Sequence, residues 1–154
     1  MFLSISPDDF NENYIILTDK INNNVMDDGF FQRILYSTTN YTSNGLILFF
    51  SLENIKIEKY FNKIKCHFNK KINETVINQL INIEQNLLKL NNTNKISRIS
   101  EQLQNGFIKI FYDNHHILRD MSKINLILKI SGIWSNDCEC GITFRFFISK
   151  EFNY

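Results

Sequence analysis

At 154 residues, 44% of them hydrophobic and 14% aromatic, the chain has material for one buried core and is too apolar to belong with disordered proteins. Seventeen basic side chains against sixteen acidic ones leave a net charge of +1, which excludes any attraction to polyanions carried by overall charge and leaves local clustering as its only source. Alanine is absent, proline occurs once and glycine five times, while Asn, Ile, Lys and Phe, whose codons are AT-rich, are in excess; the lysine count therefore reports the coding bias of an AT-rich genetic element before it reports chemistry.

The start, Met1 to Asn13, has no basic region or long apolar run and turns acidic at once, unlike a secretory signal. No apolar run is long enough to span a bilayer, and three cysteines, an odd number, suit a reducing compartment better than a disulfide framework. The expected location is intracellular, in the cytoplasm.

Tyr14 to Thr18 is a short strand candidate, and Gly29 to Ser37 alternates, with Phe30, Ile34 and Tyr36 opposed to Phe31, Arg33 and Leu35. Asn40 to Gly45 has turn chemistry, and the nearly continuous apolar run Gly45 to Leu52 predicts a central strand buried on both sides. The period changes over Glu74 to Leu90. There Ile77, Leu80, Ile81, Glu84, Leu87 and Leu88 follow helical spacing, Asn73 is a candidate N-cap, and Asn91 to Asn94 a stop. A short second helix is predicted over Lys95 to Leu103, then a strand over Phe107 to Tyr112. Lys123 to Trp134 sets Ile124, Leu126, Leu128 and Ile130 against Asn125, Ile127, Lys129 and Ser131. Gly141 to Ser149 alternates likewise, and Ser135 to Cys140 joins the two as a hairpin with a moderately long loop. Six or seven strands around one long helix predict a mostly β domain with an inserted helix, as an antiparallel barrel formed by residues 1–154.

One segment stands apart. Lys56 to Lys71 holds six lysines and a single acid, Glu58, with Tyr60, Phe61 and Phe68 threaded between them. As a strand over Tyr60 to Phe68, it turns Tyr60, Ile64, Cys66 and Phe68 to a core and Phe61, Lys63, Lys65 and His67 to the opposite side. Lysines attract phosphates and an exposed ring offers a surface for a base; a lysine-protected edge strand is the plainer alternative. Phe61, Trp134 and Phe147 share sides or loops with Lys63, Lys65, Lys129 and Arg145. Rings among cations suit single strands better than duplexes, because duplex bases are already stacked on each other.

Other chemistry finds little footing. Cys138 and Cys140, with Cys66, His115 and His116, offer soft ligands, but a Cys-x-Cys spacing is not a zinc knuckle and the rest lie far apart, so no metal or other cofactor is expected. Asp8, Asp9, Asp27, Asp28, Asp113 and Asp137 fall in termini and turns without a matching base, and no nucleophile elbow, phosphate-cradling glycine loop or metalloprotease helix occurs. No catalytic residue is assigned, and a non-enzyme is expected.

The run Leu128-Lys-Ile-Ser-Gly-Ile-Trp134, followed after six residues by Gly141-Ile-Thr-Phe-Arg-Phe146, resembles the terminal hairpin of OB-fold single-stranded DNA-binding proteins of phages, large cytoplasmic DNA viruses and virus-like linear plasmids. The order of strands, helix and strands is similar, and so is the AT-rich composition. The resemblance implies an OB-like barrel that coats unwound DNA during replication. Such proteins often end in a flexible acidic tail with an aromatic tip; this chain ends Lys150-Glu-Phe-Asn-Tyr154 and keeps only the tip. The combined expectation is sequence-independent binding of single-stranded DNA, with RNA left open. Lys56, Lys59, Lys63, Lys65, Lys70, Lys71, Lys129 and Arg145 would contact phosphates, and Phe61, Trp134 and Phe147 would stack bases. Replication proteins and further copies of the chain are candidate partners, and no membrane is. The alternative is a structural or assembly protein of the same element that binds no nucleic acid.

Overall fold

Apolar residues at every second position from Ile124 to Ile130 give one long strand a continuously greasy side, and the molecule is built outward from it. The computed structural model describes residues 3–25, 28–111 and 119–149. Its elements follow the order β1 (Ile15–Leu17), β2 (Ile21–Asn22), β3 (Phe30–Ser37), β4 (Thr42–Asn44), β5 (Leu46–Tyr60), β6 (Lys63–His67), α1 (Glu74–Leu88), β7 (Asn94–Ile96), α2 (Arg98–Asn105), β8 (Phe107–Phe111), β9 (Met121–Ser135) and β10 (Glu139–Ile148). Asp27, Tyr112, Asp113, His115, His116 and Lys150 to Tyr154, named above, lie outside the described residues. No helix among the described residues is long and apolar enough to cross a membrane.

β9 is the organiser. One of its edges carries β10, from Leu126↔Ile148 to Ser135↔Cys140. The other is shared by β5, from Met121↔Ile55 to Ile130↔Leu46, and by β3, from Gly132↔Arg33 to Ser135↔Phe30. β5 runs past the start of β9 and pairs on its far edge with β6, which pairs with β8. These ladders are all antiparallel; among the described strands β7 pairs parallel, with β10, and Ile5 makes an isolated parallel bridge to Leu48. The antiparallel chain β8–β6–β5–β9–β10 makes β8 and β10 run in the same direction. The two come side by side without a ladder between them, so the sheet curls but stays open. Of the antiparallel barrel expected from the sequence, the structure has the mostly β, antiparallel sheet with helices between its strands, and that sheet is open, not closed.

The inner side of this sheet is apolar and is covered by the helices. Leu48, Leu52, Ile64, Ile108, Leu126 and Phe146 meet Leu80 and Leu87 of α1 and Ile99 and Leu103 of α2 in one cluster. Truncating a side chain as large as Phe146, 2% exposed, to Ala would cost about 3–5 kcal/mol. The carboxylate at an apolar-spaced position, Glu84, is fully buried. It accepts the backbone N–H groups of Ile99 at 3.0 Å and Ser100 at 2.7 Å, and the Ser100 hydroxyl. α1 thus caps α2, whose own N-cap residue Ser97 makes no side-chain cap bond.

Several boundaries differ from the sequence expectation. The central strand continues from Leu52 to Tyr60: at a left-handed Asn54 (φ 60°) the buried side passes from Leu52 to Ile55, while the register with β9 runs on unshifted from Glu53↔Lys123 to Ile55↔Met121. Asn73 precedes α1 as expected but caps nothing. Its side chain accepts from the Glu53 N–H at 2.8 Å and donates to the Glu53 carbonyl at 3.0 Å, clamping the helix start to β5 beside Asn54. The second helix begins at Arg98, later than expected, because Asn94–Ile96 is drawn out as β7 to pair with β10. The loop expected over Ser135 to Cys140 tightens into a turn in which Asn136 Oδ1 accepts the N–H groups of Cys138 and Glu139.

Candidate nucleic-acid interface

The basic segment folds as a hairpin instead of the single strand expected from Tyr60 onward. Tyr60 pairs with Lys63, so Phe61 and Asn62 form a two-residue turn. Such turns favour a positive φ at the first central position, where glycine is usual. Here Phe61 holds φ 49°, a conformation that costs a side-chain-bearing residue roughly 1–2 kcal/mol. The segment has no Asn-Gly or Asp-Gly signature to mark a turn, so alternation alone puts Phe61 on a strand side. It stands at the hairpin tip instead, 99% exposed.

Residues opposite one another across the ladders share a side, so register gives the outer rows of β5, β6 and β8. They are Lys56–His67–Phe107, then Glu58–Lys65–Lys109, with Lys63 next toward the tip. Their inner neighbours Ile64, Cys66, Ile108 and Ile110 are buried, as the alternation predicted. The Lys65 ammonium sits 5.0 Å from the Phe107 ring centroid, and the His67 ring 5.7 Å from it. His67 Nε2 lies 2.7 Å from Glu58 Oε2. That hydrogen bond, helped by the Lys65 charge, holds the Glu58 carboxyl below the usual carboxylate range. Phe107 and Lys109 were not assigned to the site from the sequence; their alternation against Ile108 and Ile110 was the signal available.

Three expected contacts lie off these rows. Lys59 is opposite the buried Ile64 and so belongs to the inner register, although it is exposed near the strand end. Lys70 donates from Nζ to the Gln104 carbonyl at 3.0 Å and so tethers the end of α2. Lys71 is exposed in the turn before α1.

A second group occupies the outer side of β9 and β10. Lys129 and Arg145 are register partners, and the Arg145 guanidinium is 5.9 Å from the Phe147 ring centroid. Trp134 and Gly132 share this side beyond a bulge between Thr143 and Phe144. The Trp134 indole lies over Gly141, and Phe31 of β3, in register with Trp134, lies over Gly132. The eleven expected residues thus divide into a hairpin group (Lys56, Phe61, Lys63, Lys65), a β9–β10 group (Lys129, Trp134, Arg145, Phe147) and the three outliers. The first two groups occupy the outer side of one continuous sheet.

Two of the three thiols face away from this interface, and Cys138 is exposed in the β9–β10 turn. Cys66 and Cys140 are buried on the inner side, and burial pushes the Cys66 thiol up to about 12. Among the described residues no group of three or more His, Cys, Asp or Glu side chains is arranged to hold a metal ion. Comparison with protein-family models, curated proteins and solved structures finds no match.

Proposed function

We propose that the chain is a non-enzymatic, sequence-independent binder of single-stranded nucleic acid, acting in the replication of an AT-rich, virus-like element, and that the β5–β6–β8 outer side is its principal contact surface. The observation that carries this reading is Phe61: a phenylalanine kept in a glycine-favoured conformation at a hairpin tip, 99% exposed, with Lys63 and Lys65 on the strand behind it. A ring held outward at a strained turn is poor for stability and well placed to stack on an unpaired base.

The strand order supports an OB-like reading. Taken in chain order, β5, β6, β8, β9 and β10 form a run in which the first pairs with the second and fourth, the second with the third, and the fourth with the fifth. The third and fifth come side by side, as in a partly open five-stranded Greek-key barrel. Barrels of this type bind oligonucleotides on the face of strands two and three and with the loop joining strands one and two. In this chain those are the β6–β8 rows and the Phe61 turn. The helices enter one strand earlier than in the usual OB order, between the second and third strands.

Fluorescence anisotropy with a labelled oligo-dT at low salt tests the reading. Binding is expected, weakened about 5- to 150-fold by Phe61→Ala, as for the loss of one stacked base. A protein that leaves the oligonucleotide's anisotropy unchanged at low salt is not a single-strand binder. The assembly reading has its own support in Ile16 and Ile21, both exposed on the short strands β1 and β2. Light scattering that shows large homo-oligomers, together with a flat anisotropy titration, would favour it.

A further inference from the structure

Phe31 and Arg33 belong to β3, outside the run β5, β6, β8, β9 and β10, and the hairpin surface does not account for them. Their row partners Trp134 and Gly132 sit at the end of β9 remote from the hairpin tip. We propose that Phe31 and Trp134 form a second base-stacking platform, with Arg33 as its phosphate contact, onto which a strand bound at the hairpin continues along β9. The proposal rests on the single-strand reading and adds to it a second site and a direction of travel.

Glycine placement shows that the platform is built. A Cβ on Gly141 would stand 2.5, 2.6 and 2.7 Å from Trp134 Cζ2, Cε2 and Nε1. Nearly equal distances to three contiguous ring atoms mean that the indole lies flat across the Gly141 backbone. A Cβ on Gly132 would stand 2.5 and 2.6 Å from Phe31 Cζ and Cε2. Two of the chain's five glycines therefore lie beneath rings. Backbone seals one side of each ring, while both residues keep part of their surface in solvent. Rings already pinned in this way lose little rotamer freedom when a base stacks on them.

The neighbouring rows supply charge. Next to the rings comes Arg33–Gly132–Thr143, with Arg33 and Thr143 exposed; then Lys129–Arg145; then Ile127–Phe147. Rows recur about every 6.8 Å along a strand. Ring, cation, cation, ring is therefore the sequence met by a chain lying along the outer side of β9. A polymer of alternating phosphates and bases needs both kinds of contact in alternation.

Trp134 is the only tryptophan, so it reports on the platform directly. The full chain is titrated with an oligo-dT of about sixteen nucleotides, the upper site size for one such domain, reading the label's anisotropy and the tryptophan emission together. Saturation is expected to quench the emission. Arg33→Glu, at an exposed position, is expected to weaken binding about ten-fold and reduce the quench. Phe61→Ala is expected to weaken binding while the quench at saturation persists. Rings that only brace the glycines give no optical response, so a bound oligonucleotide with unchanged emission overturns the platform and leaves the hairpin surface standing. Quenching that Arg33→Glu does not alter overturns the path through Arg33. Absence of any anisotropy change at low salt overturns the single-strand reading and this proposal with it.

Discussion

Replacing Phe61 by glycine is the sharpest test, because the reasoning predicts opposite signs for stability and affinity. The turn holds Phe61 at φ 49°, and the left-handed region costs a residue with a Cβ about 1–2 kcal/mol. Glycine removes that cost but loses about 0.5–1 kcal/mol through its greater freedom in the unfolded chain. With 99% of Phe61 in solvent, truncation sacrifices almost no buried apolar area. The balance is a gain of about 0.5–1 kcal/mol for Phe61→Gly, with Phe61→Ala within about 0.5 kcal/mol of wild type. Both variants should lose oligo-dT affinity, by ~1–3 kcal/mol for one base stack. Urea unfolding followed by circular dichroism measures the first quantity and anisotropy the second. A Phe61→Gly protein that is less stable than wild type would mean that the ring supports the fold, and undiminished affinity would mean that it does not touch the ligand. Either result refutes the argument that strain is kept at this turn for binding.

Three further outcomes follow from the same geometry. Glu58→Gln removes the one acid on the hairpin rows and releases His67 and Lys65 from it, so oligo-dT affinity should rise about two- to five-fold at low salt and the gain should fade as salt screens it; weaker binding would show that Glu58 orders the cations instead of competing with phosphate. Burial raises the Cys66 thiol from 9.0 to about 12. A raised folded value means that its contribution is intact below pH 9 and is lost as pH climbs toward 12, amounting to about 2–3 kcal/mol by pH 11. Buried Tyr36, also raised, acts in the same direction. Urea midpoints should therefore fall between pH 9 and 11 and fall less in Cys66→Val, and equal slopes in the two proteins would contradict the burial argument. Glu84→Ala strips buried donors on Ile99 and Ser100 of their acceptor and should cost about 2–4 kcal/mol, read as a lower urea midpoint; a neutral result would mean that water replaces the carboxylate.

Strand sides were legible in the sequence wherever burial is one-sided. The alternations at Ile124–Ile130 and Ile64–Phe68 place those residues inward in the fold, because a period of two leaves a half-buried strand no other arrangement. Strand ends and turns were not legible. The Phe61 turn lacks the residues that usually mark one, and the strand runs on through Asn54 where Asn73, nineteen positions later in the chain, bonds the Glu53 backbone and the β9 ladder continues. Charge alone makes Lys70 a phosphate contact, whereas tertiary packing gives it the Gln104 carbonyl. Phe107 and Lys109 were invisible as partners of the basic strand, since register between strands separated by two helices is set by the folded core and not by local spacing.

A net charge of +1 is no obstacle to binding a polyanion, provided that the charges are segregated by the pleat. On β6 and β8 the inner positions go to Ile64, Cys66, Ile108 and Ile110, which forces Lys63, Lys65 and Lys109 onto one outer surface with His67 beside them. The same alternation that buries the core therefore concentrates the cations. The electrostatic consequence is local and short-ranged: beyond about 10 Å at 0.1 M salt the nearly neutral whole is what a ligand meets. Long-range steering should accordingly be weak, and salt should act mainly by slowing or hastening dissociation of a strand already seated. A chain with the same composition but its lysines on alternate sides of β6 would have the same charge, a poorer core and no such surface.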